Sequence, residues 1–389
     1  MSDDGSYRLL IDASSDMAQG LCGVVARILQ AATPSAFGFG QVELVVHAED
    51  ATDWPDIAWL TITRASGESG DNTKTDDHIQ AELDNQPQTV LVSLNTMRFT
   101  HERSAVLMSD SASSVLTHQG DGGFLQRLKE KISARSALPE IDSASGIIAL
   151  SCFAVAKTAQ FKKMQHLIPL GVAPEFFSSL RRHRLVDEVT IENPFIWLAA
   201  ADPASDSIDT TIKAVQILRD YGACIELKVL VPAPDEAHER GEEFNRSLEK
   251  RFRQLSFVEL IDETQPEKLT GHFAAADGFV WGDRSDHSHA PMLRAMASGL
   301  PVVAPNAEMV KKHLGSKVRF FIQGDANDLA NTLERSMADI HFRIIVSGRN
   351  HKSAMRYTFE KSAAELFRVV RAYAAADLSA TASIEHRTG

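Results

Sequence analysis

The side chains with the most chemical capacity gather between Phe279 and Asn306, in Asp283, Asp286, His287, Ser288, His289 and Arg294. Carboxylates can orient a hydroxyl or move its proton. Imidazoles donate to anions when protonated, and a guanidinium pairs with a carboxylate or a phosphate. Asp283, Asp286, His287 and His289 are also metal-ligating types, but their spacing fits no standard site, and no metal is expected. Ala290 stands near a helix start, where free backbone N–H groups and the positive end of the helix dipole suit a phosphate. The bland alternatives stay open: the histidines as plain loop residues, and Arg294 as one half of a structural ion pair.

These residues need a frame, and the flanking sequence supplies one. Phe279–Trp281 and Pro301–Ala304 are short apolar runs that read as buried strands. Between them, Pro291 suits the first turn of a helix, Met292–Ser298 holds no breaker, and Gly299 sits where a helix end turns left-handed. Such a βαβ unit places the loop and the helix N-terminus at the carboxyl edge of a parallel sheet. Two further candidates lie upstream. Gly20, with Gly23, opens a helix-like segment behind the first strand, where glycine lets a backbone approach a ligand or simply eases the turn. Asp110, with His118, lies in the Ser- and Gly-rich stretch 109–123, which reads as a loop able to line a cleft.

Bulk properties narrow the class. The chain has 389 residues, 44% hydrophobic and 24% charged, enough for two α/β domains. Its net charge of −12, with a pI near 5.6, argues against nucleic acid as a partner. No run approaches the roughly 18 apolar residues of a membrane span, and the polar, acidic start Met1–Ser6 is unlike a signal peptide. Cys22, Cys152 and Cys224 are far apart in apolar surroundings and read as reduced core thiols of a cytoplasmic protein.

Strands are expected at Tyr7–Asp12, Val42–Val46, Ala58–Ile62, Thr89–Leu94, Ala105–Met108 and Gly146–Leu150. The polar stretch Ala65–Gln88 reads as an exposed acidic loop and Phe124–Ala134 as a charged amphipathic helix. From Phe195 onward, strands and helices alternate: strands at Phe195–Ala200, Ile225–Val231, Phe257–Ile261 and Val318–Ile322, helices at Ser207–Tyr221, Ala237–Gln254 and Lys268–Ala276. Two more helices are expected at Ala326–Ile340 and Lys352–Ala376, the last with an apolar stripe of Met355, Phe359, Ala363, Leu366, Phe367 and Val370. The fold class is therefore α/β, with two Rossmann-like, doubly wound parallel sheets over residues 1–177 and 194–350 facing a cleft. Trp197 and Trp281 are expected as core aromatics.

Several ordered segments resemble GT-B glycosyltransferases, most closely glycosyltransferase family 4. They are Ile147–Ser151, Ile168–Val172, His272–Val280, Ala295–Ala304, Glu308–Val310 and Tyr357–Glu360, and together they span roughly residues 145–375. The resemblance implies a retaining transferase that uses a nucleotide-sugar donor and a glycan or glycoconjugate acceptor, without a cofactor. It makes 351–376 a helix crossing back to the first domain, and leaves association with a membrane surface or a biosynthetic complex open.

Carried over residue by residue, the family's loop glutamate falls on Asp286, its Gly-Phe-Gly on His287, Ser288 and His289, and its second glutamate on Arg294. The donor-phosphate Arg and Lys fall on Ala201 and Asp206, and the first-domain His-Asp pair on Ser109 and Asp110. Asp286 and Asp110 thus become the catalytic candidates, the latter toward the acceptor. His287, Ser288, His289, Ala290, Arg294 and Gly20 are the donor-binding ones. One lost donor to a developing negative charge is worth about 10²–10³ in rate, so two lost cations imply either a rebuilt donor site or a non-catalytic binding protein.

Overall fold

In a computed structural model, the described residues are 7–374 apart from 14–18, 47–53, 55, 65–72, 86–87, 95–102, 109–143, 151–154, 156–157, 159–160, 162, 169, 178–182, 202–206, 232–238, 263–265, 283–288, 308–309, 312–313 and 315–317. The chain divides into two compact units, residues 1–171 with 359–389, and 172–358.

The first unit carries β1 (Tyr7–Ala13), β2 (Phe39–Val46), β3 (Leu60–Arg64), β4 (Thr89–Leu94), β5 (Ser104–Met108), β6 (Gly146–Ala149) and β7 (Met164–Leu167). They form one parallel sheet in the order β3-β2-β1-β4-β5-β6-β7. A parallel strand covered on both faces reads as an unbroken apolar run, and all six residues of β4 are buried. Helix α1 (Gln19–Gln30) follows β1, and Cys22, Val25, Ile28 and Leu29 pack into the core.

The stretch expected as an acidic loop instead contains a helix, α2 (Thr73–Asn85). Its large apolar residues are two, Ile79 and Leu83, spaced i and i+4 and both buried. That seam is too short to stand out in so polar a sequence.

In the second unit, β8 (Phe195–Ala200), β9 (Ile225–Val231), β10 (Val258–Asp262), β11 (Gly278–Val280), β12 (Val302–Pro305) and β13 (Arg319–Phe321) form a parallel sheet ordered β10-β9-β8-β11-β12-β13. Its helices are α3 (Ser207–Asp220), α4 (Glu239–Phe252), α5 (Pro266–Ala275), α6 (His289–Ala297), α7 (Ala326–Ala338) and α8 (Ile340–Ala354). Trp197 and Trp281 are fully buried in this unit.

The C-terminal helical region differs from the sequence expectation. Where one helix was expected at 352–376, α8 ends at Ala354 and α9 (Phe359–Ala374) begins after a break. Met355, assigned to the apolar stripe, lies in that break and is half exposed. The other end of α8 escapes a sequence reading because Asp339 accepts from the Phe342 N–H at 2.9 Å, starting a new helix one residue after α7 ends. Helix α9 packs Ala363, Leu366, Phe367, Val370 and Tyr373 into the core of the first unit.

Both sheets are doubly wound. In the first, the chain moves outward from β1 through β2 and β3 and then returns to β4. In the second it moves from β8 through β9 and β10 and returns to β11. Strand order therefore reverses between β1 and β4 and again between β8 and β11, and ligands of open α/β sheets bind at the carboxyl ends beside such points.

Candidate functional site

The second unit builds its switch point from the ends of β8 and β11 and the starts of α3 and α6. β11 runs parallel to β8, pairing Phe279 with Leu198 and Val280 with Ala199, and on its other side to β12, pairing Val280 with Val303. Trp281 continues the ladder through its N–H to the Val303 carbonyl at 2.8 Å and is fully buried. Gly282 follows, and a side chain there would come within 3.4 Å of Ser207 and Thr211, the first and fifth residues of α3. The exit of β11 and the N-terminus of α3 are thus in close approach. Residues 283–288 then lead to α6.

Helix α6 begins at His289, which puts Pro291 in its first turn as the sequence suggested. Pro is tolerated anywhere in the first turn, where its missing N–H has no intrahelical partner. Ala290 is half-buried in that turn, and Met292, Leu293, Ala295, Met296 and Ala297 are buried.

The far end of α6 is fixed with unusual completeness. Gly299 has φ +69°, with the Gly299 N–H on the Met296 carbonyl at 3.0 Å and the Leu300 N–H on the Ala295 carbonyl at 2.8 Å. This is a Schellman ending, as the sequence placed it. Helix α8 adds donors to the carbonyls of this turn. His351 Nδ1–H donates to Ala297 at 2.7 Å, Asn350 Nδ2 to Leu300 at 2.9 Å, and the Ser347 hydroxyl to Gly299. Ser298 Oγ adds a bond to the Phe176 carbonyl at 3.2 Å.

Sequence reasoning missed this role of α8 because its inward face is polar. The signal available was the helical spacing of Arg343, Ser347, Asn350 and Ala354, all buried, while Ile344 and Ile345 are half exposed.

Of the residues singled out from sequence, Asp110, Asp286, His287, Ser288 and Asp206 fall outside the described residues. His289 opens α6 and Ala290 follows it, at the carboxyl edge between β11 and β12. Arg294, a turn further on, is half-buried with its guanidinium 5.6 Å from the centre of the Phe176 ring, which in turn meets Phe273 edge-on. Ala201, where the resemblance puts a phosphate-binding arginine, is 4% exposed and belongs to the hydrophobic core of the unit.

In the first unit, Gly20 is the second residue of α1, directly behind the β1 end of the other switch point. The neighbouring Gly23 is exposed, and a side chain there would meet nothing within 4 Å, so the fold itself does not require glycine at that position. Asp12, passed over as a strand residue, is the next-to-last residue of β1, beside Ser93 of β4, and is 2% exposed. An acidic residue inside an apolar strand was the sign that could have drawn attention to it.

Residues 193–339, all within the second unit, match the family model for glycosyl transferases group 1. No curated protein matches the sequence. Among solved structures, the chain is similar to sucrose-phosphate synthase from Thermosynechococcus elongatus, with TM-score 0.67 and 16% identity over 95% of this chain and 100% of that one. It is also similar to WaaG, a glycosyltransferase involved in lipopolysaccharide biosynthesis, with TM-score 0.63 and 14% identity over 93% and 99% of the two chains. Anabaena HepE in complex with UDP-glucose gives TM-score 0.58 and 12% identity over 96% and 100%. The fold is thus GT-B, two parallel-sheet α/β domains of seven and six strands.

Proposed function

We propose that the chain is a glycosyltransferase that moves a sugar from a nucleotide-sugar donor to the hydroxyl of a glycan or glycoconjugate acceptor, retaining the anomeric configuration. The observation that carries this reading is the β11–α6–β12 unit at the switch point, with α6 fixed at its C-terminus and its N-terminus at the carboxyl edge. The family match over 193–339 and the GT-B fold support it, and the complex of HepE with UDP-glucose makes a uridine nucleotide the first donor to test.

In such a reaction the bond between the anomeric carbon and the phosphate oxygen breaks, and the acceptor oxygen forms the new glycosidic bond. The acceptor proton ends on the leaving phosphate or in water. Negative charge grows on the leaving diphosphate, so catalysis turns on donors preorganised around it. In our reading the backbone N–H groups at His289 and Ala290 supply the fixed part of that stabilisation, with the α6 dipole behind them. His287, Ser288 and Arg294 complete the donor side and Asp286 serves the transferring sugar; in the first unit, Gly20 is the candidate for backbone contact with the donor and Asp110 for the acceptor.

A second reading has its own observation. Ala201 lies in the core and carries no charge at the position where the resemblance puts a cation, which favours a protein that binds donor or glycan without turnover. Calorimetry with UDP, GDP, ADP and CDP nucleotides and their sugars, on the wild type and on Arg294→Ala, separates the outcomes. Saturable binding weakened by the substitution is the expected result, followed by turnover assays. Binding without donor hydrolysis or transfer selects the second reading, and no binding at millimolar concentration overturns both donor-site readings.

A further inference from the structure

The first unit holds a second polar cluster, on the face of the sheet covered by α2. His78 and Glu82 are one helical turn apart on α2 and point the same way, toward Glu43 of β2. One ligand-type atom from each of Glu43, His78 and Glu82 falls within 4.8 Å of the others. His78 Nε2 is 2.9 Å from Glu43 Oε1, which also accepts from Thr63 Oγ1 at 2.8 Å. Arg8 of β1 reaches the Oε2 atoms of both glutamates.

Charge and geometry point the same way. Within the cluster, the Arg8 guanidinium is shared between the two carboxylates. An imidazole nitrogen and a carboxylate oxygen approach to 2.9 Å only with something positive between them, either a proton on Nε2 or a cation shared by both. A helical His and Glu at i and i+4, with a carboxylate from a facing strand, is a ligand set that suits zinc and neighbouring divalent metals. Such metals sit about 2.0–2.2 Å from N and O ligands, so donors about 3–4 Å apart are needed, a side-chain adjustment from what is seen. Arg8 and Thr63 then take the place of the outer partners that orient ligating carboxylates. Glu43 is deeply buried, while His78 is 38% exposed and gives the ion an entry path.

We propose that Glu43, His78 and Glu82 form a structural site for a divalent transition metal that fastens α2 to the sheet of the first unit. It lies on the sheet face rather than at the carboxyl edge, and it is independent of the donor-site reading.

The test uses the full chain after chelator treatment. Cobalt is titrated and followed by its visible absorption, and zinc is titrated and followed by the melting temperature. One saturable equivalent and a raised melting temperature are expected. His78→Ala and Glu82→Gln should each weaken binding by about tenfold or more, as ligand-shell changes do. The double change His287→Ala, His289→Ala should leave binding in place, which excludes the donor-side histidines as the source. Because His78 is partly exposed, its truncation is compatible with folding, checked by circular dichroism. No saturable uptake, or uptake equal in wild type and His78→Ala, overturns the site and leaves the protonated ion-pair network as the explanation.

Discussion

Arg184 grips Asp277 by both carboxylate oxygens: its Nε donates to Oδ1 at 2.9 Å and its Nη2 to Oδ2. Oδ2 also accepts from the Ile196 N–H at 2.9 Å, and the Asp277 N–H returns a bond to the Ile196 carbonyl at 2.7 Å. Asp277 immediately precedes β11 and Ile196 is the second residue of β8, so this pair ties together the amino ends of the two strands that flank the switch point. The bonds to Asp277 raise the Arg184 pKa against the opposing effect of burial. Arg343 of α8 adds a bond from its Nη2 to the Arg184 carbonyl at 2.7 Å, bringing the last helix of the unit into the same joint.

Removing Asp277 takes the charged acceptor from the part-buried Arg184 and from the Ile196 N–H. Asp277→Ala should therefore cost the second unit about 1–3 kcal/mol. Two of the chain's four tryptophans, Trp197 and Trp281, are buried in that unit, so their fluorescence in a urea titration reads its transition. An unchanged midpoint would mean that the joint is dispensable.

Gly278 offers a steric test of the same strand. A Cβ placed there would lie 2.4 Å from the Trp197 ring, which is fully buried and has no open side to move toward. Gly278→Ala should destabilise by about 1–3 kcal/mol, the range for overpacking a filled core, with a shifted tryptophan emission. A native-like spectrum and midpoint would contradict the packing described.

The polar face of α8 predicts a dynamic effect rather than a large global one. Asn350→Ala leaves the buried Leu300 carbonyl without its side-chain donor, costing about 1–3 kcal/mol. Amide exchange over residues 289–300 should accelerate more than over β8 or β9, because α6 loses an anchor while the sheet keeps its ladder. Equal protection in the two proteins would remove α8 from the positioning of α6.

Glu43 gives the acid-side prediction. Burial pushes its carboxyl up, but hydrogen bonds from His78 and Thr63 and the charge of Arg8 outweigh burial and hold it below its ordinary value of 4.5. A carboxyl with a lowered folded pKa contributes stability above its unfolded value, and loses it as pH falls through the folded one. The first unit should therefore weaken as the solution is acidified below about pH 4.5, and Glu43→Gln should flatten that dependence while lowering stability at neutral pH. A melting-temperature profile between neutral and acidic pH tests both.

Much of this architecture was open to a sequence reading because parallel strands bury both faces. Thr89–Leu94 and Phe195–Ala200 are largely apolar runs whose limits coincide with those of β4 and β8, and Ile225–Val231, broken by Glu226 and Lys228, still matches β9. The turn after α6 was legible for a different reason, since Gly299 occupies a backbone conformation that other residues avoid. What hid were elements whose buried faces are not apolar. Helix α2 shows little more than Ile79 and Leu83, and α8 turns Arg343, Ser347 and Asn350 inward while leaving Ile344 and Ile345 outside. Hydrophobic periodicity cannot find a helix held by hydrogen bonds to another helix's carbonyls. The site was half legible: its helix and strands follow from pattern, but the core position of Ala201 depends on how the strand end packs.

The anchoring of α6 has a consequence for how this protein can change. Ser347, Asn350 and His351 fasten the far end of the helix from behind, through bonds that do not involve the stretch before it. Substitutions confined to 283–288 therefore leave these anchors in place, and the stretch can be varied as a cassette while the far end of α6 keeps its hold.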